Sequence, residues 1–293
     1  MKRLKFVLFI TLFIAGVAFL CGCGGKEGSV ENKPESISKY LEKTEKTVEK
    51  YGNHPELLLW EDTASIPDYQ EGDTIPTLTP YLCTGGANAM IIVSGGLEGD
   101  EQAEIEEAVE YFNGLGFQAF VLKYRTSVDN PDAEGTPDFM RGRQDVARAI
   151  RFVRAYEKEF QVRFIGAAGF ELGAELLMLN GDASLPFTEV DDVDKEKTVP
   201  DFQVLGNPSR RTAEWPLFDS NYPFSFVYYP VGGPNAKELL EEAETVILPA
   251  GVHFEIHGFM ADSESVTGLG GNDAMFSRVK DALSAWLEFN NFK

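Results

Sequence analysis

The feature that most constrains this chain is a regular alternation of short apolar runs with amphipathic helical stretches from residue 87 onward. Residues 89–93 form a continuous apolar run, as expected for a strand buried on both faces of a parallel sheet. Similar runs follow at 118–122 and 162–168, and helical patterns at 100–115 and 145–160 separate the three. Alternation of this kind predicts a mainly parallel central sheet with helices on both faces.

The alternation is interrupted once and then continues to the end of the chain. Residues 181–222 are polar, acidic and contain proline, so we interpret them as a cap-like insertion over the sheet. The remaining predicted strands lie at 224–229 and 252–259, and the remaining predicted helices at 235–244 and 273–289. A single folded domain, 54–293, accommodates all of these elements.

The N-terminal residues 1–22 have the composition of a targeting segment. A short cationic start, 1–5, precedes an apolar stretch, 6–20, that is short for a membrane span. The chain then reads Leu20-Cys21-Gly22-Cys23, which resembles a bacterial lipobox. That resemblance implies cleavage before Cys23 and acylation of this cysteine. The alternative is an ordinary signal peptide or a single anchor helix.

The next segment, 23–53, is polar and cannot supply a hydrophobic core, so we interpret it as a tether. Lipobox and tether together predict a chain anchored in the cell membrane by lipid, with its domain on the extracytoplasmic face. The formal charge of the whole chain is -21, and residues 1–22 contribute only cations. So acidic a domain repels phosphate backbones, which argues against nucleic acid as a partner.

A five-residue motif, Gly169-Phe170-Glu171-Leu172-Gly173, lies between a predicted strand and a predicted helix. In α/β-hydrolases this turn is Gly-x-Ser-x-Gly and presents a strained, nucleophilic serine. Three further segments, 91–96, 114–125 and 144–154, precede it in matching order. Over residues 56–291 the chain thereby resembles the acetyl-xylan-esterase and carbohydrate-esterase-like branch of the α/β-hydrolases. This resemblance implies the α/β-hydrolase fold, with the insertion after the elbow helix.

The resemblance also places the catalytic triad, and each of its three positions is replaced. The fold carries serine, acid and histidine in that chain order, and Glu171 stands at the serine position. The acid would follow the strand at 224–229, where residues 230–235 contain no carboxylate. The histidine would lie in the last loop, where residues 262–271 contain none. We therefore expect a homologue without serine-esterase activity.

Two active alternatives remain open at this point. Glu171 could itself attack an ester, as an aspartate does at this elbow in haloalkane and epoxide hydrolases, although the resulting intermediate still needs a base to activate water. A displaced catalytic set would instead need a serine, cysteine or aspartate beside His253 or His257, which lie on one face of a predicted strand. The resemblance implies a structural role for His257.

A binding role needs only the backbone of the retained site. The candidate oxyanion-like backbone consists of Gly95, Gly96, Leu97 and Leu172. Such a site can hold a carbonyl, so the expected ligand is a carbohydrate or a small ester or acyl compound. A scaffold for another lipoprotein is a further alternative.

No cofactor or metal site is predicted. The acidic run 189–194 lacks the spacing of a calcium-binding loop, and we interpret it as a solvated loop. Cys83 is the one cysteine beyond Cys23, and it is expected to be a small buried apolar residue rather than a nucleophile.

Overall fold

A computed structural model describes residues 56–95, 101–125, 137–184, 186–208, 216–233, 236–260, 268–269 and 274–293. All of them belong to one compact unit, Glu35–Lys293. The predicted signal peptide 1–22, the tether 23–53 with Cys23, and the candidate residues Gly96 and Leu97 lie outside the described residues. Within the described ranges, no helix has the length and apolar character needed to cross a membrane.

Eight strands form a single sheet. They are β1 (Leu57–Leu58), β2 (Thr77–Tyr81), β3 (Asn88–Val93), β4 (Phe117–Lys123), β5 (Ile165–Phe170), β6 (Phe202–Gly206), β7 (Phe224–Pro230) and β8 (Phe254–Phe259). Their order is β1-β2-β4-β3-β5-β6-β7-β8. Strands β3 to β8 are parallel, whereas β2 runs antiparallel to β4 and β1 runs antiparallel to β2. The predicted mainly parallel sheet is confirmed.

Helices cover both faces of this sheet. They are α1 (Glu101–Gly114), α2 (Pro137–Ala155), α3 (Glu157–Phe160), α4 (Leu172–Asn180), α5 (Ala236–Glu242), α6 (Leu248–Ala250) and α7 (Ala274–Phe289), with a π-helical turn, Ala243–Ile247, between α5 and α6. On one face α2 and α4 pack against Ala89, Ile91 and Val93 of β3, and on the other α1 and α7 pack on the side of Met90 and Ile92. Both faces are buried, which explains the continuous apolar runs in the sequence.

The predicted insertion 181–222 is only partly an insertion. Residues Phe202–Gly206 form β6, which is hydrogen-bonded to β5 on one side and to β7 on the other. All five residues are buried. This strand was missed because it has only five residues, one of them the polar Gln203, and lies between acidic and proline-containing sequence. For the residues on either side of β6, the insertion stays a prediction from the sequence.

The acidic run 189–194 is docked on α2, so the prediction of a solvated loop is wrong for part of it. Arg148 pairs with both carboxylate oxygens of Asp191, at 2.7 Å each, and with Asp194 at 2.9 Å. Arg151 also contacts Asp194, whose side chain is 3% exposed. Burial opposes ionisation of Asp191, but the hydrogen bonds and charge of Arg148 hold its pKa below the ordinary value. These carboxylates fix the segment to α2.

No metal site emerges from this segment. Asp192 remains exposed and pairs with the exposed Lys195. In the part of the chain that the structure describes, no group of three or more His, Cys, Asp and Glu side chains is placed to hold a metal ion.

Candidate functional site

Glu171 occupies a strained turn between β5 and α4. Its backbone has φ 47° and ψ -108°, and helix α4 begins at the next residue. The Glu171 N–H donates to the carbonyl of Gly206 at 2.9 Å, and the Glu171 carbonyl accepts from the N–H of Glu175 at 3.1 Å. Such a backbone conformation at a non-glycine residue costs on the order of 1–3 kcal/mol. The strained geometry of a nucleophile elbow is therefore retained around a glutamate.

The two glycines of the motif are required by the close approach of neighbouring backbone. A Cβ at Gly169 would lie 2.5 Å from the carbonyl oxygen of Gly173. A Cβ at Gly173 would overlap the carbonyl oxygens of Val93 and Ser94 at the end of β3. The elbow thus packs directly against the turn that follows β3, which is where the oxyanion-like backbone was predicted.

The carboxylate of Glu171 lies beside Gly95. A Cβ built on Gly95 would lie 3.4 Å from the Glu171 Cβ and 3.5 Å from its Oε2. The Gly95 N–H itself donates to Oε1 of Glu104 at 3.2 Å, so this predicted donor is already engaged. Leu172 is the first residue of α4, and its N–H belongs to the helix-terminal group that has no intrahelical acceptor. Among the described candidates, Leu172 is the one whose position suits an acceptor atom of a ligand.

Glu104 is a residue of this site that sequence reasoning missed. Its side chain is buried, and it lies so close to Gly268 that a Cβ there would come within 2.6 Å of the Glu104 Cγ. The Tyr228 hydroxyl donates to the Gly268 carbonyl. Burial raises the pKa of Tyr228 well above its usual value, and the charge of Glu104 adds to the rise. The signal was present in the sequence, because Glu104 shares one helical face with the buried Ala108 and Phe112.

The turn after β7, where an acid would stand, is apolar. Val231 follows Pro230 and is 49% exposed, and Gly232 has a positive φ of 88°. Gly233 completes the described part of this turn, which contains no carboxylate. In the last loop the structure describes only Gly268 and Leu269, and the sequence holds no histidine after His257. The loss at the acid and histidine positions stays a prediction from the sequence.

His257 of β8 and His253, which directly precedes this strand, do not form a displaced catalytic pair with any described residue. The His253 ring stacks on Phe224 at 4.1 Å and the His257 ring on Phe226 at 4.5 Å. The one polar side chain near either ring in the described part of the chain is Glu255, 3.4 Å from Nε2 of His257. Since β6 and β7 separate β8 from the elbow strand, neither histidine is placed to activate a group at residue 171.

Cys83 is also unsuited to nucleophilic chemistry. Its thiol is partly buried and donates to the carbonyl of Phe117 at 3.2 Å. Burial raises the pKa of the thiol, which reduces the thiolate fraction that would act as nucleophile.

A buried ion pair joins helix α2 to the end of β4 beside the site. Arg125, just after β4, binds Asp145 of α2 through Nη2 at 2.7 Å and Nε at 3.0 Å, and its N–H donates to the same carboxylate at 2.8 Å. The neighbouring Tyr124 hydroxyl donates to the carbonyl of Ser94 at 2.9 Å. These bonds tie α2 and β4 to the turn after β3, and sequence analysis did not predict them.

Comparison with known proteins identifies the architecture. No protein-family model matches the chain, and no curated protein matches it in sequence. Among solved structures, it is similar to the acetyl ester-xyloside bifunctional hydrolase of Caldicellulosiruptor lactoaceticus, with a TM-score of 0.66 and 25% identity over 82% of this chain and 97% of that one. The fold is that of the α/β-hydrolases.

A second similar structure is esterase 2 of Thermogutta terrifontis. Its apo form has a TM-score of 0.64 and 17% identity, covering 83% of this chain and 98% of that one. Its butyrate-bound form has a TM-score of 0.63 and 16% identity, covering 82% and 95%. The predicted fold class is confirmed, and the likeness to esterases supports an esterase-like α/β-hydrolase fold.

Proposed function

We propose that this α/β-hydrolase homologue has lost serine-esterase chemistry and uses its retained site for binding. The observation that carries the proposal is Glu171, which occupies the strained elbow between β5 and α4 where the nucleophile belongs. The apolar turn at 231–233 and the absence of a histidine after His257 support it, because a nucleophile without base and acid is not activated.

A carboxylate nucleophile is disfavoured at this position. An ester formed on Glu171 would persist unless a base activated water against it, and neither His253 nor His257 lies near the elbow. The Glu171 carboxylate lies beside Gly95 instead. A misplacement of about 1 Å already costs on the order of 100-fold in rate.

The electrostatics of the site favour a neutral ligand. Glu171 and Glu104 both lie beside Gly95, so an anion would meet two carboxylates. The similar proteins are described as an acetyl ester-xyloside hydrolase and as an esterase with bound butyrate. We therefore favour a carbohydrate or a small uncharged ester or acyl compound over a free carboxylic acid. In calorimetric titrations an acetylated xylo-oligosaccharide should bind and acetate should not, and the reverse preference would contradict the assignment.

The proposed setting is the extracytoplasmic face of the cell membrane, with a lipid anchor on Cys23. The motif Leu20-Cys21-Gly22-Cys23 motivates it, and several acyl chains together give stable attachment at about 0.8 kcal/mol per buried CH₂. Intact-mass analysis of the membrane-extracted chain tests it. A chain that begins at Cys23 and carries acyl mass is expected, and an unmodified cysteine would contradict the proposal.

The alternative is an active carboxylic-ester hydrolase with displaced catalytic residues. The retained elbow strain and the close-packed Gly169 and Gly173 favour it, since they preserve the frame of a working site. The substitution Glu171→Ser discriminates between the two. Loss of the histidine from a serine triad costs about 10⁶-fold in kcat, so we expect the serine variant to stay inactive. Turnover by the serine variant above the rates of the wild-type chain and of buffer alone would show that acid and base survive elsewhere.

A further inference from the structure

The last strand of the sheet, β8, lies at an edge that no other described strand covers. On its inner side the carbonyls of His253 and Phe259 accept hydrogen bonds from the N–H groups of β7 and the residue after it. Because backbone groups alternate in direction along a strand, those of Phe254, Ile256 and Gly258 are directed away from β7. They form the row of N–H and C=O groups to which a further strand can add.

The sequence of β8 lacks the features by which proteins usually block such an edge, which are short strands, prolines, lysines and bulges. At the opposite edge of the sheet β1 has only two residues, and the neighbouring β2 contains Pro80. In contrast, β8 has six residues without lysine or proline, and it pairs with β7 without interruption. Met260, directly after it, is 69% exposed. The edge of β8 therefore suits an added strand.

The side chains of β8 are complementary to a second, antiparallel copy of the same strand. With a two-fold axis at Ile256, Glu255 of each copy lies opposite His257 of the other, and Phe254 lies opposite Gly258. The side chains of Glu255 and His257 are 52% and 33% exposed, so both can be reached. Opposite residues have Cβ atoms about 4.5–5.5 Å apart, and an imidazole donates an N–H in either protonation state. Two carboxylate–imidazole pairs would therefore form across the axis.

Neighbouring registers lose this complementarity. An axis at Glu255 would place the two carboxylates opposite each other, which is destabilising. An axis at His257 would place Glu255 opposite Phe259, and an axis at Phe254 would leave most of β8 beyond the overlap with its counterpart. The axis at Ile256 combines full overlap of the strands with opposite pairing of acid and imidazole.

We propose that two copies of this chain pair through β8, antiparallel about Ile256, and so join their sheets into one. The partner is a second copy because the two-fold axis repeats every complementary contact. The net charge of each copy, -21, opposes association at low ionic strength. This interface is separated from the elbow strand by β6 and β7, and it is independent of the proposed function.

Sedimentation of the full chain in density-matched detergent tests for the dimer, at a salt concentration of about 0.15 M that screens the net charge. We expect a concentration-dependent dimer in the micromolar range. Glu255→Lys should raise its Kd about tenfold or more, because two pairs of opposite charge become pairs of like charge. The matched control is Glu110→Lys, which changes the net charge equally on an exposed residue of α1, a helix packed against β3 and β4. A chain that stays monomeric, or an equal effect of the two substitutions, would overturn the proposal.

Oxidative cross-linking of Ile256→Cys tests the register. At the axis the two α carbons of residue 256 would lie about 5.5 Å apart, which a disulfide can span. Oxidation should therefore yield covalent dimer well above the background that Cys21, Cys23 and Cys83 give in the wild-type chain. Leu248→Cys is the control and should stay at background, because Leu248 is 63% exposed but lies outside the paired strand. Cross-linking of Ile256→Cys no greater than that of Leu248→Cys would contradict pairing through β8.

Discussion

Replacing Asp145 by asparagine is expected to lower the free energy of unfolding by about 3–5 kcal/mol, the cost of leaving one member of a buried ion pair without its partner. Asp145 is fully buried and accepts three contacts from Arg125 shorter than 3.1 Å. The substitution keeps the shape of the side chain but removes the charge that balances an arginine exposed by only 2%. Urea unfolding followed by circular dichroism measures the change.

The matched control for Asp145→Asn is Asp192→Asn. Asp192 also pairs with a cation, Lys195, but both side chains are exposed, and exposed pairs contribute little. No measurable change in the urea midpoint is expected there. If Asp145→Asn destabilised the chain no more than Asp192→Asn does, the Arg125–Asp145 pair would not stabilise the packing of α2 against the end of β4.

Gly173→Ala is expected to have the second large effect, a loss of about 3 kcal/mol or more. The new Cβ would overlap two carbonyl oxygens, those of Val93 and Ser94, and backbone cannot move aside as a flexible side chain can. Overpacking of a core typically costs about 1–3 kcal/mol, and a rigid neighbour places this site at the upper end. The loss should appear as a lower urea midpoint with little change in far-ultraviolet circular dichroism.

Gly114→Ala is the control for the glycine substitution. Gly114 ends helix α1, and a Cβ there would meet nothing within 4 Å. Alanine at a compatible position stabilises by about 0.4–1 kcal/mol, because it restricts the unfolded chain. The two substitutions should thus change the free energy of unfolding in opposite directions. Similar changes would mean that the elbow is not packed tightly against the end of β3.

The sheet could be predicted from sequence because its central strands are buried on both faces. Residues 89–93, 118–122 and 162–168 stand out as apolar runs for that reason, and β3, β4 and β5 occupy them with small differences in bounds. Strand β6 was not predicted, because its five residues are flanked by the acidic run and by proline. A short strand within a polar segment can be recognised only from its pairing with neighbouring strands, which the sequence does not show.

Only the part of the site that is formed by residues adjacent in sequence could be predicted. Glu171 could be placed because the elbow is a contiguous motif between a strand and a helix. The role of Glu104 depends on its contacts with Gly95 and Gly268. Gly268 is distant in the sequence, and Gly95 is brought to Glu104 only when the chain folds. The docking of Asp191 on Arg148 is likewise a contact across 43 residues, and no local pattern encodes it.

Ester turnover by the wild-type chain tests the central claim most directly. The full chain in detergent is assayed against 4-nitrophenyl acetate, 4-nitrophenyl butyrate and acetylated xylan, beside its Glu171→Ala variant. We predict that neither protein exceeds the rate of hydrolysis in buffer with detergent alone. Turnover by the wild-type chain that disappears in Glu171→Ala would contradict the account, because it would make Glu171 a working catalytic residue.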